Sequence, residues 1–228
     1  MLQKIDKKNK IYIYLFIFLL LSTFNNINII NFKLLKFNIE QIKVSGLTKK
    51  NNLEVSQEIK KKLIENIFFI RKEFLTKILQ KNNLINSFEI KKIYPNIIEI
   101  KIKKTEFLGI TNIDGNFFFI GSNGKLIDYN ESEKNLPYVF GKININDYIE
   151  FVKFVNKSKF SFNIIEEIYF FPSGRWDIKT FDDKLFKLPA ENIELKLNLI
   201  YELYKNENFK NIKVIDLRFK NKIINSYE

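Results

Sequence analysis

The sequence predicts an α+β protein with an N-terminal transmembrane helix, a unit of β-α-α-β-β order and a mostly antiparallel β domain with flanking helices. Three observations support this fold class. An uncharged, mostly apolar run extends from Ile11 to Phe32. Two segments of helical period follow, flanked by segments in which apolar and polar residues alternate. The second half of the 228-residue chain then consists of short alternating segments separated by turn residues.

The apolar run predicts a membrane anchor. As a helix, residues 11–32 would extend about 33 Å, which matches the core of a bilayer. A cleaved signal peptide is disfavoured because no small-residue cleavage site precedes Ala190, the only alanine. A helix that is apolar on every face also differs from a buried core helix. Four lysines lie in residues 1–10, so we expect a cytoplasmic tail there and all later residues on the outer side.

Residues 37–105 contain the predicted β-α-α-β-β unit. Alternation ends at the turn signal Ser45-Gly46, and two helical segments follow in which apolar residues recur about every four positions. Two further alternating segments are joined by Tyr94-Pro95-Asn96. The predicted elements are strand Phe37–Val44, helices Glu54–Glu65 and Arg71–Lys81, and strands Phe88–Ile93 and Ile98–Ile102.

Residues 106–228 are predicted to form the β domain. Asp114-Gly115 is a hairpin signal, and Gly121 to Gly124 marks a second turn. The other predicted elements are helices Asp147–Lys157 and Ala190–Tyr204, strands Ile164–Phe171, Trp176–Phe181 and Lys184–Leu188, and a terminal hairpin of Ile212–Phe219 and Lys222–Tyr227. We expect Trp176 to be a core residue, because a single tryptophan within a strand is usually buried.

The composition excludes several classes of enzyme. The chain has no Cys and no His, so it can form neither a zinc site of thiolates and imidazoles nor a Ser-His-Asp triad. The adjacent carboxylates Glu166-Glu167 and Asp182-Asp183 are expected to point to opposite faces of a strand, so neither pair suits a shared substrate. We therefore predict a protein that is not an enzyme and binds no metal or cofactor.

The formal net charge of +12 does not by itself indicate a nucleic-acid partner. The chain is rich in Lys, Asn, Ile and Phe, a bias typical of AT-rich genomes. Most phenylalanines occupy inward positions of the periodic pattern, so they are expected in the core rather than stacked on bases. Attraction of Lys33 and Lys36 to anionic lipid headgroups is more plausible.

Three short motifs in the first unit resemble those of a POTRA (polypeptide-transport-associated) domain. They are Val44-Ser45-Gly46 after the first strand, Ile67-Phe68 between the helices, and Tyr94-Pro95-Asn96 at the hairpin. The resemblance implies that residues 37–105 adopt the POTRA fold.

Three motifs of the second unit resemble the FtsQ/DivIB family of bitopic cell-division proteins. Leu136-Pro137 through Gly141 resembles the family's LP-x-x-x-G signal, Gly174-Arg175-Trp176 its GRW-type strand, and Ile215 to Phe219 its terminal DLR-aromatic strand. The order of an anchor, a POTRA domain and a β domain is also typical of the family.

The resemblance implies a scaffold of the division septum, anchored once in the inner membrane with its C-terminal domains in the periplasm. Its partners would be FtsB and FtsL, together with other divisome membrane proteins. Two alternatives remain open. One is a membrane-anchored POTRA chaperone that binds exported polypeptides by strand addition. The other is a periplasmic hydrolase of unknown type.

A partner-binding site is expected at the terminal hairpin. Strand Lys222–Tyr227 has no later strand to cover its outer edge, and its central residues carry no charge. In FtsQ-like proteins FtsB docks here, and Phe219 and Tyr227 match aromatic positions of that surface, although the register of Phe219 points inward. The residues proposed for partner binding are Arg175, Arg218, Phe219, Ile223, Ile224, Asn225, Ser226 and Tyr227.

Overall fold

The computed structural model describes residues 7–24, 37–63, 66–130, 135–219 and 222–226. The fold is α+β, as predicted. The first element, helix α1 (Lys7–Phe24), exposes every described side chain from Asn9 to Ser22. Across these described ranges, no helix is both long enough and apolar enough to span a membrane. Residues 25–32 of the predicted transmembrane helix lie outside the described residues.

The N-terminal unit, residues 37–104, confirms the predicted β-α-α-β-β order. Its elements are β1 (Gln41–Ser45), α2 (Lys49–Lys62), α3 (Lys72–Gln80), β2 (Ile85–Ile93) and β3 (Ile97–Lys104). In the sheet, β3 lies between β1, to which it is parallel, and β2, to which it is antiparallel. The two helices pack on one face of this sheet and bury Ile59, Leu75 and Leu79 against Ile98 and Ile100.

Two local features explain how the chain passes from β1 into α2. Gly46 has a φ of +108°, and a Cβ at this position would lie 1.7 Å from the carbonyl oxygen of Ile102. Only glycine therefore allows the turn to approach β3 so closely. Thr48 then caps α2, because its Oγ1 accepts a hydrogen bond from the Asn51 N–H at 3.3 Å.

The C-terminal unit, residues 105–226, contains a nine-stranded sheet within the described ranges. Its strands are β4 (Phe107–Ile113), β5 (Asn116–Gly121), β6 (Leu126–Asp128), β7 (Tyr138–Phe140), β8 (Ile165–Phe170), β9 (Trp176–Thr180), β10 (Leu185–Lys187), β11 (Val214–Asp216) and β12 (Ile224–Ser226), and its helices are α4 (Ile145–Lys157) and α5 (Ile193–Lys205). The strand order is β12-β11-β10-β9-β8-β7-β4-β5-β6.

Five of the eight strand pairings in this sheet are antiparallel and three are parallel, which agrees with a mostly antiparallel domain. Two parallel pairs, β7–β8 and β10–β11, are connected through α4 and α5 respectively, because parallel neighbours need a crossover. The helices contribute Phe151 and Leu197 to a core that also contains Trp176 and Ile215. Trp176 is buried and stacks on Phe151 with a centroid distance of 4.5 Å, as expected for a core residue.

Polar side chains join the two units. The Asn123 amide donates hydrogen bonds to the carbonyl oxygens of Asn83 (2.9 Å) and Ile85 (3.0 Å). The Asn83 amide donates in return to the carbonyl oxygen of Leu126 at 2.8 Å. The Thr105 N–H also donates to the carbonyl oxygen of Leu84 at 2.9 Å. The β5–β6 turn is thus bound to the α3–β2 connection by hydrogen bonds, and this limits how the two units can rotate against each other.

Candidate functional site

The candidate site begins at the edge strand β12. It pairs only with β11 among the described strands, with Val214 opposite Ser226 and Asp216 opposite Ile224. The neighbouring strand β11 is bonded to β10 on its far side, through the Lys213 carbonyl and the Leu217 N–H. The Ser226 carbonyl accepts a hydrogen bond from the Lys213 N–H at 3.0 Å, so Ser226 faces β11, and the backbone groups of successive residues in a strand point to alternate sides. It follows that Asn225 directs its N–H and carbonyl away from β11, to the outer side of the sheet.

A row of alternating charges crosses the sheet next to this edge. Lys187 on β10 is directly opposite Asp177 on β9 and Asp216 on β11, so the three side chains share one face. Arg175 and Arg218 lie two residues from the aspartates along their chains. This group, named here the charge row, contains three cations and two carboxylates, so it is suited to an acidic partner.

Arg218 is bound firmly at one end of the charge row. Its Nε lies 2.8 Å from Asp216 Oδ1 and 2.9 Å from Oδ2, and its terminal nitrogen also contacts Oδ2. These hydrogen bonds lower the pKa of Asp216 and outweigh the opposing effect of burial. The Arg218 side chain is 34% exposed, so its outer nitrogen atoms can still meet a partner.

Arg175 is held less tightly at the other end. Its Nε is 3.7 Å from Asp177 Oδ1, too far for a hydrogen bond, and its guanidinium lies over the Phe171 ring at 3.9 Å. Neither this Nε nor this Oδ1 has a hydrogen-bond partner among the described residues. Burial raises the pKa of Asp177 despite the attraction of nearby cations. A small movement of Arg175 would satisfy both groups.

The other described residues of the predicted site follow the end of β11 or belong to the terminal strand. Phe219 is 48% exposed, whereas Ile215 and Leu217 are buried. The expectation that Phe219 points inward with them is wrong, because the regular strand already ends at Asp216. The exposed residues of the terminal strand are Ile223, Ile224 and Asn225, and Ser226 is half-buried. Tyr227 lies outside the described residues, so its predicted role stays a prediction.

The carboxylates Glu166 and Glu167 do not diverge as predicted. Lys179 Nζ lies 3.1 Å from Glu166 Oε2 and 3.7 Å from Glu167 Oε1, so both approach the same cation. The register of β8 shifts between Ile165 and Glu167, and this irregularity breaks the strict alternation of side chains. Lys179 also reaches Asp183 Oδ1 at 3.5 Å, which makes the cluster an ion-pair network. Within the described ranges, no group of three acidic side chains is arranged to hold a metal ion.

The sequence interpretation missed Asp177, Lys187 and Asp216 as members of the site. Each of the two aspartates stands two positions from a singled-out arginine, which was the available signal, since residues i and i+2 share a face. Lys187 could not be added, because only the register between three strands places it beside them.

Comparison with known families matches both units. The protein-family model described as "POTRA domain, FtsQ-type" matches residues 37–104. The model described as "Cell division protein FtsQ/DivIB, C-terminal" matches residues 109–218. The two matches are consecutive and together include most of the chain.

Individual relatives carry related names. The cell division protein DivIB of Clostridium botulinum (strain Loch Maree / Type A3) is 31% identical over 60% of this chain. The aligned region is 53% of that protein, so the chain spans about half the length of this relative. The cell division protein FtsQ of Rickettsia bellii is 27% identical over 82% of this chain and 72% of its own length.

A solved structure is also similar in part. The major extracytoplasmic domain of DivIB from Geobacillus stearothermophilus matches 42% of this chain and 87% of that chain, with a TM-score of 0.33 and 14% identity. A TM-score of this size supports no conclusion about a shared fold.

Proposed function

Because the chain belongs to the FtsQ/DivIB family of cell division proteins, we propose that it is a scaffold, not an enzyme, that links early and late division proteins at the septum. In this role it holds FtsB and FtsL and, through them, other divisome membrane proteins. The observation that carries the proposal is the edge strand β12 beside the charge row. A sheet edge supplies main-chain hydrogen bonds to an extended partner, and nearby charges select which partner binds.

The partner segment adds to the sheet as a further strand. Asn225 provides an outward N–H and an outward carbonyl, and the exposed Ile223 and Ile224 provide apolar contact. The strand carries no charge between Ile223 and Ser226, so it does not repel an approaching strand as a lysine-bearing edge would. The proposed contact residues are Ile223, Ile224, Asn225, Ser226, Phe219 and Tyr227.

The charge row gives the complex its specificity. Arg218 has outward nitrogen atoms beside the edge strand, and the Arg175 side chain is 29% exposed although its Nε is buried against Asp177. Two guanidinium groups in these positions suit carboxylates of the partner, because guanidinium and carboxylate form paired hydrogen bonds. An acidic residue of the docked segment is therefore expected beside Arg218. Arg175 lies next to β9, three strands from β12, so it would contact a second part of the partner.

Attachment to the inner membrane is part of the proposal. The supporting observation is that the large apolar side chains of α1 from Ile11 to Leu21 are exposed rather than packed on either core. We propose a cytoplasmic tail at 1–10, a single span at 11–32, a periplasmic POTRA domain at 37–105 and a periplasmic β domain at 106–228. This arrangement holds the edge strand on the outer side, where septal wall synthesis takes place.

Co-purification tests the scaffold role. The membrane-anchored full chain is expected to retain FtsB and FtsL from solubilised membranes. The chain truncated after Lys220, which lacks β12, should lose FtsB and keep the hydrogen-exchange protection of the POTRA domain. If the truncated chain captures FtsB as well as the full chain does, the docking site lies elsewhere.

A chaperone for exported polypeptides is the second candidate. The short, uncharged β12 edge is compatible with strand addition by many sequences. Competition separates the two functions. An excess of unrelated extended peptides should displace a chaperone substrate, whereas it should leave a specifically held division partner in place.

A further inference from the structure

The N-terminal unit exposes a cluster of aromatic side chains on one surface. Phe69 is 74% exposed, Tyr94 is 55% exposed and Phe68 is 54% exposed. Phe68 stacks on Tyr94 with a centroid distance of 5.0 Å, so the rings form a continuous surface. Phe74 on α3, which is partly exposed, lines the same shallow depression as Phe68 and Phe69. We name the surface formed by Phe68, Phe69, Phe74 and Tyr94 the aromatic patch.

The aromatic patch lies where the chain enters the unit. Phe37 is the first described residue after α1, and its ring is 5.0 Å from that of Phe68. The Phe37 carbonyl accepts a hydrogen bond from the Ile67 N–H at 2.9 Å. If the span ends at Phe32 as proposed above, four residues separate it from Phe37, and they can extend at most about 18 Å. The patch is therefore held close to the bilayer surface.

Positive charge is concentrated in the same part of the chain. Residues 37–104 contain 15 Lys and Arg against 7 Asp and Glu, a net charge of +8. Residues 105–228 contain 17 against 18, a net charge of −1. A uniform compositional bias toward lysine would not by itself produce this difference. The excess positive charge lies in the unit next to the proposed anchor.

Several of these cations border the aromatic patch. Lys62 and Arg71 line the depression, and Lys72 follows at the start of α3. Lys92 donates a hydrogen bond to the carbonyl oxygen of Ile70 at 2.7 Å. The described acidic side chains nearby are Glu58, which pairs with Lys62 at 2.5 Å, Glu73 on α3, and Glu40, which accepts a hydrogen bond from the Asn96 amide at 2.8 Å in the hairpin that carries Tyr94. Among the described residues, four cations (Lys62, Arg71, Lys72 and Lys92) thus lie around the patch with three carboxylates.

We propose that the aromatic patch of the POTRA domain rests on the membrane and inserts its rings among the headgroups of anionic lipids. The inference depends on the membrane attachment proposed above. Aromatic rings are favourable at the boundary between hydrocarbon and water, and lysine or arginine beside them attracts anionic headgroups. This contact gives the POTRA domain a fixed orientation on the bilayer, and the hydrogen bonds of Asn123 pass that orientation to the C-terminal unit.

Site-specific labelling tests the lipid contact. The chain has no native cysteine, so each single-cysteine variant carries one environment-sensitive fluorophore. The full chain is placed in nanodiscs of phosphatidylcholine, with or without phosphatidylglycerol. The label is placed at Phe69→Cys in the patch, at Leu195→Cys, a 69% exposed position on α5, as the matched control, and at Leu15→Cys to report attachment.

With phosphatidylglycerol present, iodide in the water should quench the label at position 69 several-fold less than the label at position 195. A nitroxide-bearing lipid should quench the label at 69 and leave the label at 195 unchanged. Adding Arg71→Gln and Lys72→Gln, or omitting phosphatidylglycerol, should reduce the protection at 69. These results together would support the contact.

Three results would overturn it in distinguishable ways. Equal iodide quenching at 69 and 195 while position 15 is protected would contradict the lipid contact alone. Iodide access at position 15 would contradict the membrane attachment itself, and the lipid contact with it. Protection at 69 that appears only after FtsB and FtsL are added would assign the patch to a protein partner and reject the lipid.

Discussion

Arg218 binds Asp216 through two nitrogen atoms, although the two residues are only two positions apart at the end of β11. Asp216 is also directly opposite Ile224 of the edge strand. The same carboxylate therefore orients the guanidinium and lies beside the edge at which a partner is proposed to dock. Stability and binding are both expected to depend on this pair.

Asp216→Asn should lower the free energy of unfolding by about 1 kcal/mol at neutral pH, since it weakens hydrogen bonds to a charged, partly exposed arginine. The pKa of Asp216 is lower in the folded protein than its usual value, so the carboxylate stabilises the fold above that usual value, near 4. This contribution is lost as the pH falls through the lowered folded pKa. The difference between wild type and variant should therefore shrink in acid.

Urea unfolding of the full chain in detergent at neutral and acidic pH measures this difference. Asp114→Asn, in the exposed β4–β5 turn, is the control, and its effect should stay small at both pH values. A difference between wild type and Asp216→Asn that stays constant or grows in acid would reject the assigned role of the ion pair.

Gly141→Ala should destabilise the protein much more than Gly115→Ala. Both glycines have positive φ, which alone costs a side chain about 1 kcal/mol. At Gly141 an added Cβ would also lie 2.2 Å from the carbonyl oxygen of Phe170, whereas at Gly115 nothing lies within 4 Å. The expected losses are about 2–4 and about 1 kcal/mol. Denaturant midpoints compare the two variants, and equal losses would show that β7 does not approach β8 as closely as described.

Asn123→Ala should loosen the connection between the two units. The variant loses hydrogen bonds to the carbonyl oxygens of Asn83 and Ile85, and the one that Asn123 Oδ1 accepts from the Lys125 N–H within the turn, while each unit keeps its own core. Hydrogen exchange should accelerate around residues 104–106 and 121–124, and the cost in stability should be about 1–3 kcal/mol. Asn112→Ala, which removes one bond local to the β4–β5 turn, is the control. Unchanged hydrogen exchange at residues 104–106 and 121–124 would contradict the role of Asn123 in holding the two units together.

Local patterns predicted the individual elements well. Alternation and helical spacing identified the β-α-α-β-β unit, and Asp114-Gly115 identified a hairpin, because both signals depend on neighbouring residues. The short strand β7 (Tyr138–Phe140) was not predicted. A strand of three residues is too short to show an alternation of apolar and polar side chains. Residues 138–140 form a strand only because β4 and β8 pair with them in parallel.

The site was only partly predictable for the same reason. The exposed terminal edge followed from strand order. Arg175 and Arg218 were identified from strand alternation, because they would face away from Trp176 and from Leu217 respectively. Lys187 joins them only through the register of β10 with β9 and β11. The irregularity at Ile165 and Glu167 depends on tertiary packing, so the meeting of Glu166 and Glu167 at Lys179 could not be read from their adjacency.

The outward backbone of Asn225 offers the most direct test of docking at β12. Asn225→Pro removes an N–H that points away from β11, so the pairing of β12 with β11 should survive. Asn225→Ala is the matched control, since it removes the side chain and keeps the N–H. Binding of FtsB to each full-chain variant, held in nanodiscs, is measured by titration. We expect near wild-type affinity for Asn225→Ala and at least about tenfold weaker binding for Asn225→Pro, the loss of one well-formed hydrogen bond at a desolvated edge. Equal affinity of both variants for FtsB would contradict strand addition at this edge.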